Sequence, residues 1–203
     1  MQNIQDYRWL LLRLVLPAIV LMLFRSTPTM AATAAEIQQW LQAHNTYRAL
    51  HGVPPVTWSA TVAASAQAWA DTCPSTHSGS GYGENIAWAT TDIGESAVVQ
   101  LWYDEESLYD YSNPGFSSDT GHFTQVVWKG TMEIGCGFAT GCGQNWPYYA
   151  NAWVCQYNPP GNYIGQFGAN VFPPNFGGGG SGGGTPQAGA ENIVPILPLL
   201  LLR

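Results

Sequence analysis

An α+β domain, with helices packed on a mostly antiparallel sheet, is the fold that the order of patterns along the chain predicts. Three helix-period segments, two of them with capping residues, lie within residues 33–109, and short β-branched or aromatic runs broken by Gly, Pro and Asn follow from 122 to 158. The composition agrees: of 203 residues 46% are hydrophobic and 13% aromatic, with nine Trp and ten Tyr, while only 9% are charged. That suffices for one well-buried domain plus tails, held by large rings and cross-links more than by ion pairs.

The first residues stand apart. Arg8 and Arg13 precede the run LVLPAIVLMLF, and Ala32 and Ala34 supply an A-x-A pattern, so residues 1–34 read as a signal peptide. As an uncleaved anchor the run is too short, and Arg13 and Pro17 break it. Cleavage would leave three basic residues, Arg48, Lys129 and Arg203, against twelve acidic ones, a net charge of −9. Nucleic acid and anionic lipid both require clustered Lys and Arg, so neither is expected as a partner.

Thr33 and Glu36 form a capping box, and Ile37, Trp40, Leu41, His44, Tyr47 and Arg48 follow at helical spacing until Gly52 and Pro54 end the first helix. His44 lies on its apolar stripe, where a lone histidine is more often a hydrogen-bonded core residue than a ligand. Ser59 caps a second, alanine-rich helix running toward Cys73. The glycine-rich HSGSGYGENIAWAT reads as turns. GESAVVQLWYDEESLY gives a third helix with Val98, Leu101 and Trp102 on one face, and HFTQVVW, IGCGFA and AWVCQYN read as strands.

From Asn175 the chain turns into a glycine-rich linker and the short apolar tail IVPILPLLLL, too short to span a bilayer. The tail also fits, at its short limit, the removable signal of a glycolipid anchor with a small-residue site near Ser181 or Gly189. The G-x-S-x-G at 179–183 lacks the strand and helix that a nucleophile elbow needs. Cys73, Cys136, Cys142 and Cys155 survive signal cleavage; an even count in a secreted chain implies two disulfides, with three connectivities open. Their spacing is not that of a zinc knuckle.

Two polar residues fall where apolar ones belong. At 100° per residue, the stripe of Val98, Leu101 and Trp102 is centred near position 105, so Glu105 points inward while Asp104 and Glu106 lie to either side. A buried carboxylate must be paired or hydrogen-bonded. Read as a strand, HFTQVVW places His122 with Thr124, Val126 and Trp128 on one face, and a buried histidine there needs a partner or a ligand.

The segments HNTYRALHGVPPVTW, HSGSGYGENIAWA, LWYDE, GHFTQVVWKGT and VCQYNPPGNYIGQF together resemble the CAP superfamily, named for cysteine-rich secretory proteins, antigen 5 and pathogenesis-related proteins, over residues 36–172. The likeness is greatest to fungal secreted sterol-binding members. It implies a three-layer α-β-α sandwich over residues 35–174 and disulfides Cys73–Cys142 and Cys136–Cys155. It also implies a cleft with His77, Glu84, Glu105 and His122, of which Glu105 is also singled out by the helical phase and His122 by the strand reading and its need for a partner. Two imidazoles with two carboxylates suit zinc or another divalent cation, which folding does not require; the alternative is a hydrogen-bonded polar core.

In similar fungal members an aromatic loop binds sterols. Here Tyr109, Tyr111 and Phe116, with the turn-forming Pro114, match that φ-x-φ-x-x-x-x-φ spacing. The resemblance thus implies a secreted, monomeric module binding sterol or another small apolar lipid. A metal-assisted hydrolase using the same cleft is the alternative, but no HExxH helix or separate nucleophile signature supports turnover. A secreted defence or virulence effector is the third reading; the chain has no N-x-S/T sequon through which a glycan could mediate its contacts.

Overall fold

A computed structural model describes residues 32–144, 149–174 and 200–201. Residues 1–31 of the signal-peptide reading, the glycine-rich linker and most of the apolar tail lie outside these residues; the last three residues of that reading, 32–34, are described, and Thr33 and Ala34 are the cap and the first residue of the first helix. Helix α1 spans Ala34–Leu50 and begins with the capping box of Thr33 and Glu36. A two-residue strand β1 (Thr57–Trp58) leads into α2 (Ala60–Ala70), capped by Ser59. Strand β2 (Gly83–Ala89), helix α3 (Glu95–Asp104) with a 3-10 turn over Glu105–Leu108, and the short helix α4 (Gly121–Val126) follow. Strands β3 (Glu133–Thr140) and β4 (Asn151–Asn158) and helix α5 (Phe167–Asn170) complete the domain.

The sheet has the order β1-β3-β4-β2, with Leu200–Leu201 (β5) paired along the outer edge of β2. All pairings are antiparallel except that of β1 with β3, so the sheet is mixed, through a strand two residues long. Alternation along the strands divides the core into two layers. Ile134, Cys136, Trp153, Cys155, Tyr157 and Ala87 face α1, α3 and α4, while Ile86, Trp88, Ala139, Ala152 and Val154 face α2. The result is the α-β-α sandwich that the resemblance implied. On the α1 side, Trp40 stacks on Trp102 with ring centroids 6.2 Å apart and Tyr47 on Tyr103 at 3.9 Å.

The helix α2 lies directly on β3. A Cβ added at Gly135 would fall 2.0 Å from the Ala63 amide nitrogen, and one at Gly137 would fall 2.4 Å from Gln67 Cα. Only hydrogen fits there, which is why two glycines interrupt a buried strand. The disulfides bracket this contact. Cys73–Cys142 ties the end of α2 to the turn after β3, and Cys136–Cys155 links directly opposed residues of β3 and β4.

Two sequence readings are corrected. The run HFTQVVW is not a strand: Gly121–Val126 is helical, and His122 through Val126 are all buried. A short run whose residues are all buried carries no period that separates a buried strand from a buried helix, and here the five residues from His122 to Val126 are all buried. Conversely GENIAWA, read as turn, is β2, because the glycines before it form the entry loop and the strand itself begins at Gly83. In α3 the buried face is Val98, Val99 and Trp102, with Leu101 only half-buried.

Two buried polar side chains of α1, Arg48 and His44, are held largely by backbone carbonyls. Arg48 donates from Nε to the Pro54 carbonyl and from its two Nη atoms to the carbonyls of Val126, Trp128 and Thr131, at 2.8–3.0 Å. His44 donates from Nδ1 to the Trp40 carbonyl at 2.8 Å, so its neutral ring accepts at Nε2 from the Tyr157 hydroxyl at 3.0 Å. Burial lowers its pKa to about 4; Arg48 adds to the effect and the Trp40 bond opposes it.

The folded state thus excludes a proton that the unfolded chain binds below about pH 6.5. This contribution is complete above pH 6.5 and is lost as pH falls toward 4, at a cost of roughly 3 kcal/mol. His51, also lowered by burial, acts in the same direction. Urea unfolding at pH 7.5 and pH 4.5 should show this loss, and His44→Gln should remove most of it; an equal slope in the variant would place the acid sensitivity elsewhere.

Candidate functional site

At the end of the sheet where β2 begins and β4 ends, two histidine–glutamate pairs meet across a small cleft. Glu105 follows α3 directly, in the 3-10 turn, and is 7% exposed. Its Oε1 accepts from His122 Nδ1 at 2.7 Å, and its Oε2 accepts from the backbone amides of His122 and Phe123 at 3.0 and 3.2 Å. The carboxylate therefore caps the first turn of α4, which Thr120 leaves without a side-chain cap. Three hydrogen bonds are what make an acid tolerable in this core. The His122 ring lies nearly parallel to that of Trp102, with centroids 6.2 Å apart.

Glu84 sits on β2 opposite Gln156 of β4. Its Oε1 accepts from His77 Nδ1 at 2.9 Å and from the Ser78 amide at 2.8 Å; its Oε2 accepts from the Ser78 hydroxyl and from Gln156 Nε2 at 2.8 Å. Burial pushes this carboxyl up, but the bonds from His77, Ser78 and Gln156 together outweigh it and hold Glu84 below the usual carboxylate range. His77 itself is half exposed.

His77, Glu84 and His122 line one cleft of about 60 Å³ with Asn85, Phe116 and Asn162; Glu105 stands behind His122. In each pair the carboxylate engages Nδ1, which leaves Nε2 as the ring atom available to a ligand. Among the described residues no three of His, Cys, Asp and Glu converge on one point. The four residues thus form two oriented imidazoles, each backed by its own carboxylate.

The sequence matches one family over more than half its length: the cysteine-rich secretory protein family, CAP, over residues 41–157. The chain belongs to the CAP family. Protein PRY2 of Saccharomyces cerevisiae is 50% identical over 135 residues, covering 64% of this chain and 39% of PRY2. Secreted protein RBT4 of Candida albicans is 46% identical over 136 residues, covering 63% of this chain and 36% of RBT4. This CAP chain therefore spans less than two fifths of the length of either relative. The crystal structure of NaASP2 with Zn2+ superposes with a TM-score of 0.56 at 21% identity, covering 72% of this chain and 90% of that one, and shares the fold.

Four residues of the CAP site escaped the sequence reading. Asn85 donates from Nδ2 to the His122 carbonyl and to the Tyr157 hydroxyl, both at 3.1 Å, and Tyr157 in turn reaches His44. A relay of side chains so joins α1 to α4 through the sheet. Asn162, in the left-handed region with φ 59°, donates to the Gly121 carbonyl and accepts from Thr124 Oγ1. Gln156 could have been found only with β2 recognised as a strand, because its role follows from standing opposite Glu84.

The aromatic loop divides into two parts. Tyr109 is buried and packs edge-on against Tyr111 and at a tilt against Phe123; Tyr111 donates its hydroxyl to Glu106 at 2.9 Å. Pro114 and Phe116 stay on the surface, Phe116 being 53% exposed and tilted against Phe167 at 6.4 Å. A second, larger apolar cavity of about 380 Å³ lies between α1 and α2, lined by Ile37, Trp58, Ala60, Ala64 and Gln67. No helix among the described residues is long and apolar enough to cross a membrane.

Proposed function

We propose that the protein is a secreted CAP module that binds a sterol or another small apolar lipid through the loop 109–116, beside a cleft able to hold a divalent cation. The observation that carries this reading is the exposure of Phe116 at the cleft's edge while Tyr109 and Tyr111 are anchored in the core. A ring left in water on a loop whose other rings are fixed is a preorganised apolar contact. The cleft of about 60 Å³ is too small for a sterol, so the ligand would lie against the loop and the cation in the cleft. His77 and His122 would hold that cation through Nε2, with Glu84 and Glu105 orienting the rings; when bound it would supply a Lewis acid. The Zn2+ in the NaASP2 structure supports the choice of zinc as probe.

The loop and the cleft can be separated by substitution. Tyr109→Ala would damage the core, so Phe116→Ala is the informative change. It should weaken sterol binding about tenfold or more, because most of one exposed ring's contact is removed, and should leave Zn2+ binding by calorimetry unchanged. His122→Ala should do the reverse, whereas His44→Ala should spare Zn2+ binding in whatever fraction stays folded. Undiminished sterol binding by folded Phe116→Ala would refute the loop and turn attention to the cavity between α1 and α2.

A further inference from the structure

The segment after β4 presents a feature that folding does not use. Tyr163 and Gln166 close a four-residue turn, the Gln166 amide donating to the Tyr163 carbonyl at 3.0 Å, with Gly165 at φ +82° in the third position. Ile164 occupies the second position and is 81% exposed; Tyr163 is 49% exposed. Such a turn is served by Gly, Pro, Asn, Asp or Ser, and nothing in it requires a large aliphatic side chain at the tip. The base of the turn is fixed. The Gly161 amide donates to Gln125 Oε1 at 2.9 Å, and the Asn162 side chain bonds to Gly121 and Thr124 of α4.

This turn stands beside the aromatic loop. Phe116 and Asn162 line the same cleft, Phe116 packs on Phe167, and Pro114 lies 3.4 Å from where a Cβ at Gly168 would sit. Neither segment is charged: no Asp, Glu, Lys or Arg occurs from 111 to 118 or anywhere between Glu133 and Glu191, in a chain whose net charge is −7.

Resting on the lipid-binding reading, we infer that Tyr163 and Ile164, with Phe116, dock the domain on the surface of a zwitterionic lipid bilayer, so that the loop meets its ligand where that ligand resides. Ile164 enters the acyl boundary and Tyr163 sits at headgroup level, its ring apolar and its hydroxyl wet. The uncharged rim avoids the desolvation of ions that a charged surface would incur. The acidic chain gains nothing from anionic headgroups.

Hydrogen exchange on the full chain tests this locally, whatever the apolar terminal segments do. Phosphatidylcholine vesicles should protect the amides of Tyr163 and Ile164, and phosphatidylserine in the vesicles should not increase the protection. Ile164→Ser should abolish that protection and weaken vesicle binding through this turn about tenfold or more, the loss expected for one aliphatic side chain, while affinity for soluble sterol stays unchanged. Absent protection, equal protection in the variant, or stronger protection on phosphatidylserine would overturn the inference. So would protection that rises with protein concentration without vesicles, which would identify a second copy as the occupant. Sterol binding without vesicle protection would defeat the docking surface alone; vesicle protection without sterol binding would defeat the ligand reading and leave the membrane contact standing.

Discussion

Gly137→Ala should destabilise the domain by about 3 kcal/mol or more, and Gly135→Ala by at least as much. The added methyl group would meet backbone at both positions: Gln67 Cα and nitrogen at 2.4 and 2.6 Å from residue 137, Ala63 nitrogen and Cα at 2.0 and 2.5 Å from residue 135. A side chain can rotate out of the way, but a helix backbone cannot. Either α2 lifts from the sheet, opening the layer of Ile86, Trp88, Ala152 and Val154, or β3 shifts against its partner β4. The Cys73–Cys142 bridge holds the far end of α2 and prevents it from sliding to relieve the clash. Thermal unfolding should register a fall on the order of 10 °C for a domain of this size. Melting temperatures within about 2 °C of the parent would mean that α2 is not seated on β3 as described.

The second large effect is expected at Arg48. Its guanidinium holds four carbonyl oxygens drawn from three places: the turn after α1, the end of α4, and the loop that leads to β3. Arg48→Met fills similar volume but strands those acceptors, each stranded group costing about 1–3 kcal/mol with incomplete additivity, so a total of roughly 3–5 kcal/mol is expected. Arg48→Lys keeps the charge yet offers one compact ammonium in place of a planar fork, and about half of that loss should remain. Urea unfolding of the three proteins should rank them Arg, Lys, Met. A lysine variant as stable as the parent would show that charge, not the fork, is what this core requires.

What the chain revealed in advance follows a physical division. Features set by neighbours in sequence were legible: the capping box at Thr33, the cap at Ser59, and the inward direction of Glu105 from the phase of α3. The resemblance supplied His77, Glu84 and the disulfide pairing, none of which periodicity can give. Features set by tertiary enclosure were not legible. Helix α4 carries no amphipathic period because it is buried all round, and Glu105 could be seen to need partners but not that two of them are the amides of α4. Asn85 and Tyr157 matter only because β2 and β4 bring them together with His44 and His122. The aromatic spacing of the loop is visible in the sequence, but spacing does not tell an inward ring from an outward one, and Tyr109 and Phe116 take opposite sides.

The carbonyl cage around Arg48 has a consequence for the domain's resistance to proteolysis. Enzymes that cut after arginine or lysine find only two such residues between Thr33 and Pro174, namely Arg48 and Lys129. Arg48 is withdrawn from any protease pocket by its burial and its position within α1. Lys129 is exposed, but its peptide is held by the Asn170 carbonyl, the next amide is held by Asn170 Oδ1, and its ammonium lies over the Phe172 ring. A trypsin-like enzyme must therefore wait for the domain to open, so durability against such enzymes is governed by how often the fold unfolds and not by how many scissile bonds its surface offers.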